Sequence, residues 1–347
     1  MQKILVTGGL GYIGSYFIDN YKDKFQIHVI DTNYFQNNIN DLDNITYKDV
    51  RQIEKKDLKN IEVIIHMGEL SNDPLGDLNK NITKKINNDG TINLLKLADK
   101  SDVKKFIYMS SASVYGFSDE IMNETSEVNP LTEYSRAKVA NETYIINNEF
   151  SFETIILRNS TAFGFSSNLR LDLVVNDLTY NGYFNQSINL LSDGTPKRPI
   201  VHIHDICKII YECILDSRNL DKQIFNVGSE DMNFSIKEIA LTVGTILNID
   251  DINFGQKDTD QRSYQLNFEK LNDYFPNFII SYDLENGIKD LVLNFKNYNP
   301  ISSSQKLAKI LPCTVWQFRA LKTKVLYEPG RNLDCTRGTA GLLVCDI

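Results

Sequence analysis

Short apolar runs that end on glycine, histidine or a carboxylate recur through the first half of the chain. Lys3–Thr7 runs into glycines, Gln26–Ile30 into Asp31, and Glu62–His66, Lys105–Met109 and Thr154–Leu157 repeat the form. Runs of this length, rich in Val and Ile and closed by turn residues, read as strands buried on both faces. Between them Tyr12–Tyr21 and the stretches 81–99 and 132–149 read as helices. Strand alternating with helix predicts an α/β fold built on a doubly wound parallel sheet. Beyond residue 160 the pattern is mixed: Leu169–Tyr183, Ile203–Leu215, Ser235–Leu247 and Leu284–Phe295 read as helices separated by short strands. The expected organisation is a first domain over 1–160 and a smaller mixed α/β domain over 161–298, with an interleaved boundary.

The last residues break the pattern. Residues 1–300 hold 36 Asn and 2 Cys, whereas 301–347 hold 1 Asn, 3 Cys and the only tryptophan, Trp316. Seven basic and three acidic residues make this stretch basic, on a chain whose net charge is −8. Residues 299–347 are therefore expected to be an appended tail or the product of an altered reading frame, outside the core. The overall acidity excludes a general nucleic-acid footprint, and no apolar run approaches the ~20 residues of a membrane span. The N-terminus lacks the basic and apolar regions of a signal peptide. Five cysteines with no Cys-x-x-Cys pair are expected to be reduced thiols of a cytoplasmic protein.

Against that background one segment carries specific chemistry. Gly8, Gly11 and Gly14 form Gly-x-x-Gly-x-x-Gly after the first predicted strand and open the first predicted helix, with Tyr12 and Ile13 inside the turn. Glycines permit the tight turn and let a pyrophosphate reach N–H groups at a helix N-terminus, as in a Rossmann domain. Asp31 closes the second strand 17 residues after Gly14. A carboxylate there accepts from the ribose hydroxyls of adenosine and repels a 2′-phosphate, and no arginine follows it, so the expected cofactor is NAD. Asp49-Val50, taken as the end of the third strand, reads equally as an adenine contact or as a loop aspartate beside a core valine. Met67 and Gly68 follow the fourth strand, where the glycine would let backbone approach the cofactor. His66 reads as a packed strand-end histidine.

The second chemical segment is Tyr134-Ser135-Arg136-Ala137-Lys138, which follows Met109-Ser110-Ser111-Ala112-Ser113-Val114-Tyr115-Gly116. Tyr134 and Lys138 lie four residues apart, on one face of a helix. A phenol with a pKa near ~10 is a poor base at neutral pH. An adjacent ammonium and a cationic nicotinamide favour phenolate, and lowering the pKa by ~3 units corresponds to roughly 4 kcal/mol. Phenolate then takes a hydroxyl proton as hydride leaves the same carbon. Ser111 would hydrogen-bond that oxygen, and Lys138 would also hold the nicotinamide ribose.

With these motifs, residues 2–297 resemble the extended short-chain dehydrogenase/reductase family, the NAD-dependent nucleotide-sugar epimerases and dehydratases of the UDP-glucose 4-epimerase kind. Asn87-x-x-Gly90-Thr91, Arg158, and Arg198-Pro199-Ile200-Val201-His202-Ile203-His204-Asp205 add to the resemblance. It implies Ser111, Tyr134 and Lys138 as catalytic residues, a nucleotide-diphosphate sugar as substrate, and Arg198 and Arg262 as the pair that grips the diphosphate. It implies a homodimer through the helices near 85–99 and 132–149. Family dehydratases carry acidic residues directly after the catalytic Ser or Thr; Ala112 and Ser113 stand there, which disfavours 4,6-dehydration. Thr161 occupies a position where family epimerases often carry Asn. The segment Leu169–Asp177, with Asp172, resembles a subgroup associated with surface-polysaccharide or heptose pathways, where some members oxidise or reduce C4. The expected activity is 4-epimerisation through a transient 4-keto sugar. The alternatives are a 4-dehydrogenase or 4-keto reductase with net redox change, or a non-catalytic NAD-sensing module. His202 and His204 are read as alternating on one strand and as structural residues, with no metal site.

Overall fold

Val, Ile and Leu fill the predicted strands, and in the computed structural model they form a seven-stranded sheet. The structure describes residues 1–34, 42, 44–71, 76, 79–256, 262–298, 335–337 and 343–345. The strands are β1 (Lys3–Thr7), β2 (Gln26–Asp31), β3 (Ile45–Tyr47), β4 (Val63–His66), β5 (Lys105–Ser111), β7 (Glu153–Asn159) and β11 (Gln223–Val227). Their order is β11-β7-β5-β4-β1-β2-β3, and every pairing is parallel. The doubly wound parallel sheet inferred from the pattern is thus the observed fold class.

From β1 the chain winds one way through α1 (Tyr12–Tyr21) to β2. From β4 it winds the other way through α2 (Gly90–Ala98) to β5, and through α3 (Glu133–Asn147) to β7. Right-handed crossovers in opposite directions put α1 on one face and α2 and α3 on the other. The strand order reverses at β1/β4, and in such sheets the crevice at the carboxyl ends beside that reversal binds ligands. Gly8, Asp31, Met67, Gly68 and Ser111 all lie at those carboxyl ends.

The remaining strands are β6 (Phe117–Met122), β8 (Thr161–Phe163), β9 (Ile188–Asn189), β10 (Lys197–His202), β12 (Asn233–Ser235), β13 (Ile252–Asn253) and β14 (Ser263–Leu266). The later helices are α4 (Val174–Asn185), α5 (Ile203–Leu215), α6 (Ile236–Leu247), α7 (Glu269–Tyr274) and α8 (Leu284–Phe295). β12, β10 and β8 form a second sheet, and β14 pairs with β6. β11 returns from this second half to the edge of the main sheet beside β7, so the two halves interleave. α5 packs back on α1: Ile206, Ile209 and Ile210 share a buried cluster with Phe17 and Ile18, and the Tyr21 and Tyr211 rings stack at 4.9 Å.

Residues 1–33 and 37–299 make one compact unit, and residues 34–36 and 300–347 a second. The expected tail at 299–347 lies outside the described residues, apart from an antiparallel pair of short strands, Cys335–Arg337 and Leu343–Cys345.

Three local expectations are corrected. The third strand ends at Tyr47, and Asp49 instead caps a 3-10 turn, Val50–Gln52, by accepting from Arg51 N–H. The helix expected from Leu169 starts at Val174. Arg170 and Asp172 are drawn together as an ion pair at 2.6 Å, and the Asn176 amide donates to the Arg170 carbonyl at 3.0 Å. These contacts hold the segment in a bend ahead of the helix. His202 and His204 do not share a strand: β10 ends at His202, whose Nδ1 accepts the His204 N–H at the start of α5.

Candidate active site

At the nucleotide end, the glycine turn is packed backbone against backbone. Gly8 has φ +70°, and a Cβ there would lie 2.6 Å from the Met67 carbonyl oxygen. A Cβ at Gly14 would lie 2.6 Å from the Gly8 carbonyl oxygen and from Gly9 Cα. α1 has Gly11 at its N-cap, and no side chain caps the helix. Its first-turn N–H groups, among them those of Tyr12 and Ile13, therefore present the partial positive charge that binds anions. Asp31 ties the turn to β2: one carboxylate oxygen accepts from Leu10 N–H at 3.0 Å and the other from Asn33 N–H at 2.7 Å. Burial pushes the Asp31 carboxyl up, and those two N–H groups work against it.

The Tyr12 side chain turns away from this turn, donating to the Gly164 carbonyl at 2.7 Å, which leaves its backbone N–H in the first turn of α1. Asp49 receives a fork from Arg51, Nε at 2.9 Å and Nη2 at 2.7 Å, and Val50 is buried. Met67 and Gly68 send their N–H groups to Thr7 Oγ1, both at 3.3 Å, closing β4 onto β1.

The reaction end is built around α3. Thr132 and Ser135 cap its N-terminus reciprocally, which fixes where Tyr134 emerges. Lys138, one turn on, is buried, with its ammonium 5.4 Å from the centre of the Tyr134 ring and 4.7 Å from that of Tyr108. It donates to the Met109 carbonyl and forms an ion pair with Glu69 at 3.0 Å. Burial pulls the Lys138 pKa down, but the Glu69 carboxylate and Tyr134 outweigh it and leave it raised, so Lys138 is an ammonium. Ser111 ends β5, and its Oγ accepts from Ser113 N–H at 3.2 Å.

Two buried networks support these groups. In the first, Arg158 on β7 pairs with Glu142 on α3 at 2.7 Å and donates to the Tyr115 hydroxyl at 2.8 Å. Ser110 donates to the same carboxylate, so β5, β7, α3 and the turn after Ser111 are held by one ion pair. In the second, His66 lies wholly buried between the hydroxyls of Thr7 at 2.6 Å and Thr91 at 2.7 Å. Burial, and then the Lys138 charge, push its pKa down to about 3, so the ring is neutral. The Thr91 hydroxyl donates to the Asn87 carbonyl at 2.6 Å, and the Asn87 amide clamps Leu70 at 2.8 and 2.9 Å. Asn87 sits in a widened π turn, Lys84–Asp89, ahead of α2.

On the substrate side, Arg198 on β10 donates to the Arg262 carbonyl and lies 5.8 Å over the Tyr264 ring. The two arginines named from sequence are therefore neighbours, although 64 residues apart. Thr161 begins β8, beside β10. Asp172 pairs with Arg170, which donates to Ser71 Oγ at 3.0 Å and lies within electrostatic reach of Tyr134.

Glu69 and Glu142 are the residues that sequence reasoning missed. Glu69 follows Gly68 with no local signal of burial, and its side chain is only 2% exposed. For Glu142 the available signal was spacing: it lies one turn beyond Lys138, on the same face of α3.

The profile of the NAD dependent epimerase/dehydratase family matches residues 4–228. The chain is 31% identical over 237 residues to a putative UDP-glucose 4-epimerase of Methanocaldococcus jannaschii, covering 65% of this chain and 76% of that one. Solved structures of similar fold include UDP-glucose 4-epimerase from Thermotoga maritima with UDP-glucose, at TM-score 0.74 and 21% identity. Another is UDP-glucuronic acid 4-epimerase from Bacillus cereus with UDP-glucuronic acid and NAD, at TM-score 0.75 and 21% identity. Each covers 85% of this chain and 99% of its own. The chain belongs to the NAD-dependent epimerase/dehydratase family, and its cofactor is NAD. The residues present fit that cofactor: a cradle that a Cβ at Gly8 or Gly14 would fill, an uncapped helix N-terminus, and a carboxylate at the end of β2. Among the described residues no helix is long and apolar enough to cross a membrane, and no group of three or more His, Cys, Asp or Glu could hold a metal ion.

Proposed function

We propose that this enzyme is a nucleotide-sugar 4-epimerase, acting in sugar-nucleotide or surface-polysaccharide biosynthesis. The observation that carries the reading is the Tyr134–Lys138 pair, with the ammonium buried beside the phenol ring at the carboxyl edge of the NAD-binding sheet. When bound, NAD would supply the hydride acceptor for the first step, and its reduced form the hydride donor for the return step. Gly8, Gly11, Gly14 and the first-turn N–H groups of α1 would hold its pyrophosphate, and Asp31 its adenosine ribose. Asp49, Val50, Met67 and Gly68 are assigned to the same cofactor site in this reading.

Tyr134 takes the proton of the C4 hydroxyl, and Lys138 favours the phenolate by its charge. Ser111 hydrogen-bonds the C4 oxygen and holds it while it becomes a carbonyl. The 4-keto sugar turns over, and Tyr134 returns the proton to the oxygen of the opposite stereoisomer. Arg198 and Arg262 grip the diphosphate, for which guanidinium forks are suited. Thr161 and Asp172 are assigned to the sugar in this reading. Ala112, buried directly after Ser111, offers no acid for eliminating water, which supports epimerisation over 4,6-dehydration.

The enzyme is a homodimer through α2 and α3 in this reading, and a strictly monomeric species in light scattering would contradict that part. The free, buried thiols of Cys207 and Cys213 fit a cytoplasmic protein. Tyr134→Phe tests the chemistry. Turnover falls at least about 100-fold while NAD stays bound, since general-base catalysis contributes about 10²–10⁴-fold. Unchanged turnover in this variant sinks the proposal.

A further inference from the structure

Glu69 is a buried carboxylate that the chemistry above does not use, yet it touches the catalytic lysine. Its Oε2 lies 3.0 Å from Lys138 Nζ, and its Oε1 accepts from the Tyr108 hydroxyl at 2.9 Å and from Asn141 at 3.4 Å, with the Thr91 hydroxyl 3.3 Å away. Four elements converge on it: β4 with His66 at 3.9 Å, β5 with Tyr108, α2 with Thr91, and α3 with Lys138 and Asn141. Among the described residues few charges face this cluster. His66 is neutral, and burial, followed by the Glu69 charge, raises the Tyr108 hydroxyl well above its ordinary value, so it stays a donor. The next carboxylate on α3, Glu142, is occupied by Arg158. Lys138 and Glu69 are thus an opposed pair, with Lys138 beside the Tyr134 ring, and Arg170, itself paired with Asp172, is a further positive charge within electrostatic reach of Tyr134.

We propose that Glu69 is a positioning residue that holds the Lys138 ammonium and sets the pH at which Tyr134 ionises. This rests on the reading of Tyr134 as the base. An isolated ammonium beside the phenol would pull its pKa down strongly. A carboxylate paired with that ammonium has the same sign as phenolate and cancels part of the pull. Lys138 thus stays charged and fixed, with one arm to Met109 and one to Glu69, while Tyr134 remains a phenol to higher pH than a Tyr–Lys pair alone would allow.

The test reads Tyr134 directly. Tyrosinate absorbance is followed against pH in the wild type and in Glu69→Gln, with the Tyr134→Phe spectrum subtracted to isolate this ring. The midpoint falls by about one pH unit or more in Glu69→Gln, a tenfold gain in acidity. The acid limb of the kcat–pH profile moves down with it. Glu69→Ala removes the same charge by a different change of shape and moves the midpoint the same way. A midpoint that stays or rises in the folded variants overturns the proposal, because a purely structural Glu69 lowers Tm and kcat without moving it. The two readings separate cleanly. A shifted midpoint in a protein that epimerises nothing keeps the role of Glu69, and an active epimerase with an unshifted midpoint removes only that role.

Discussion

Replacing His66 with glutamine removes the acid sensitivity of the sheet's central seam. The ring is buried at the end of β4, between Thr7 of β1 and Thr91 of α2, and its pKa is pushed from 6.5 down to about 3. The folded pKa lies below the unfolded one, so the unfolded chain binds the proton first. The stabilisation from keeping His66 neutral is complete above pH 6.5 and is lost as pH falls towards 3. At pH 5 the gap to 6.5 is about 1.5 units, which at 1.36 kcal/mol per unit corresponds to about 2 kcal/mol. Carried down to pH 3 the loss approaches about 5 kcal/mol, comparable to the whole stability of many domains. Glutamine cannot ionise but can still bond to one threonine hydroxyl. Urea unfolding of both proteins at pH 8 and pH 5 is the assay. The wild type loses about 2 kcal/mol more than His66→Gln over this interval. His28 and His204, also lowered chiefly by burial, are common to both proteins and cancel in the difference. Parallel losses in the two proteins would refute the reasoning.

Other substitutions test other parts of the site. Gly14→Ala places a Cβ 2.6 Å from the Gly8 carbonyl oxygen, so the turn must open, and the NAD dissociation constant measured by calorimetry rises at least about tenfold. Glu142→Ala leaves Arg158 charged and buried without its partner, and costs about 3–5 kcal/mol in urea unfolding. Arg198→Ala removes one guanidinium from the proposed diphosphate site and raises KM for the nucleotide sugar more than it lowers kcat. A charged hydrogen bond contributes about 1.5–3 kcal/mol, so the change in KM is about tenfold or more.

What sequence revealed of this molecule follows from what is local in the chain. The strands are short apolar runs with turn residues at both ends, and the Tyr134–Lys138 pair is a single helical turn, so spacing alone locates them. Ile203–Leu215 and Leu284–Phe295 appear at their expected bounds because each carries one strongly apolar face. Local pattern failed at Leu169–Leu173, where an ion pair and the Asn176 amide hold a stretch of helical spacing in a bend. It failed also at His202, where a strand end and a helix cap fall within three residues. The deeper omission is Glu69. Its importance arises from β4, β5, α2 and α3 meeting at one carboxylate, and no spacing within the chain encodes that meeting. Arg198 and Arg262 were named by resemblance, and their adjacency comes from β10 and β14, far apart in sequence.

The most direct measurement is proton NMR, with anion-exchange separation, of UDP-, GDP- and dTDP-sugars incubated with the purified enzyme and no added cofactor. The account predicts a C4 stereoisomer accumulating beyond one turnover per site, with NAD retained. A single turnover or none, rescued by added NAD, NADH or a keto-acid acceptor, would contradict it and make the enzyme a net oxidoreductase.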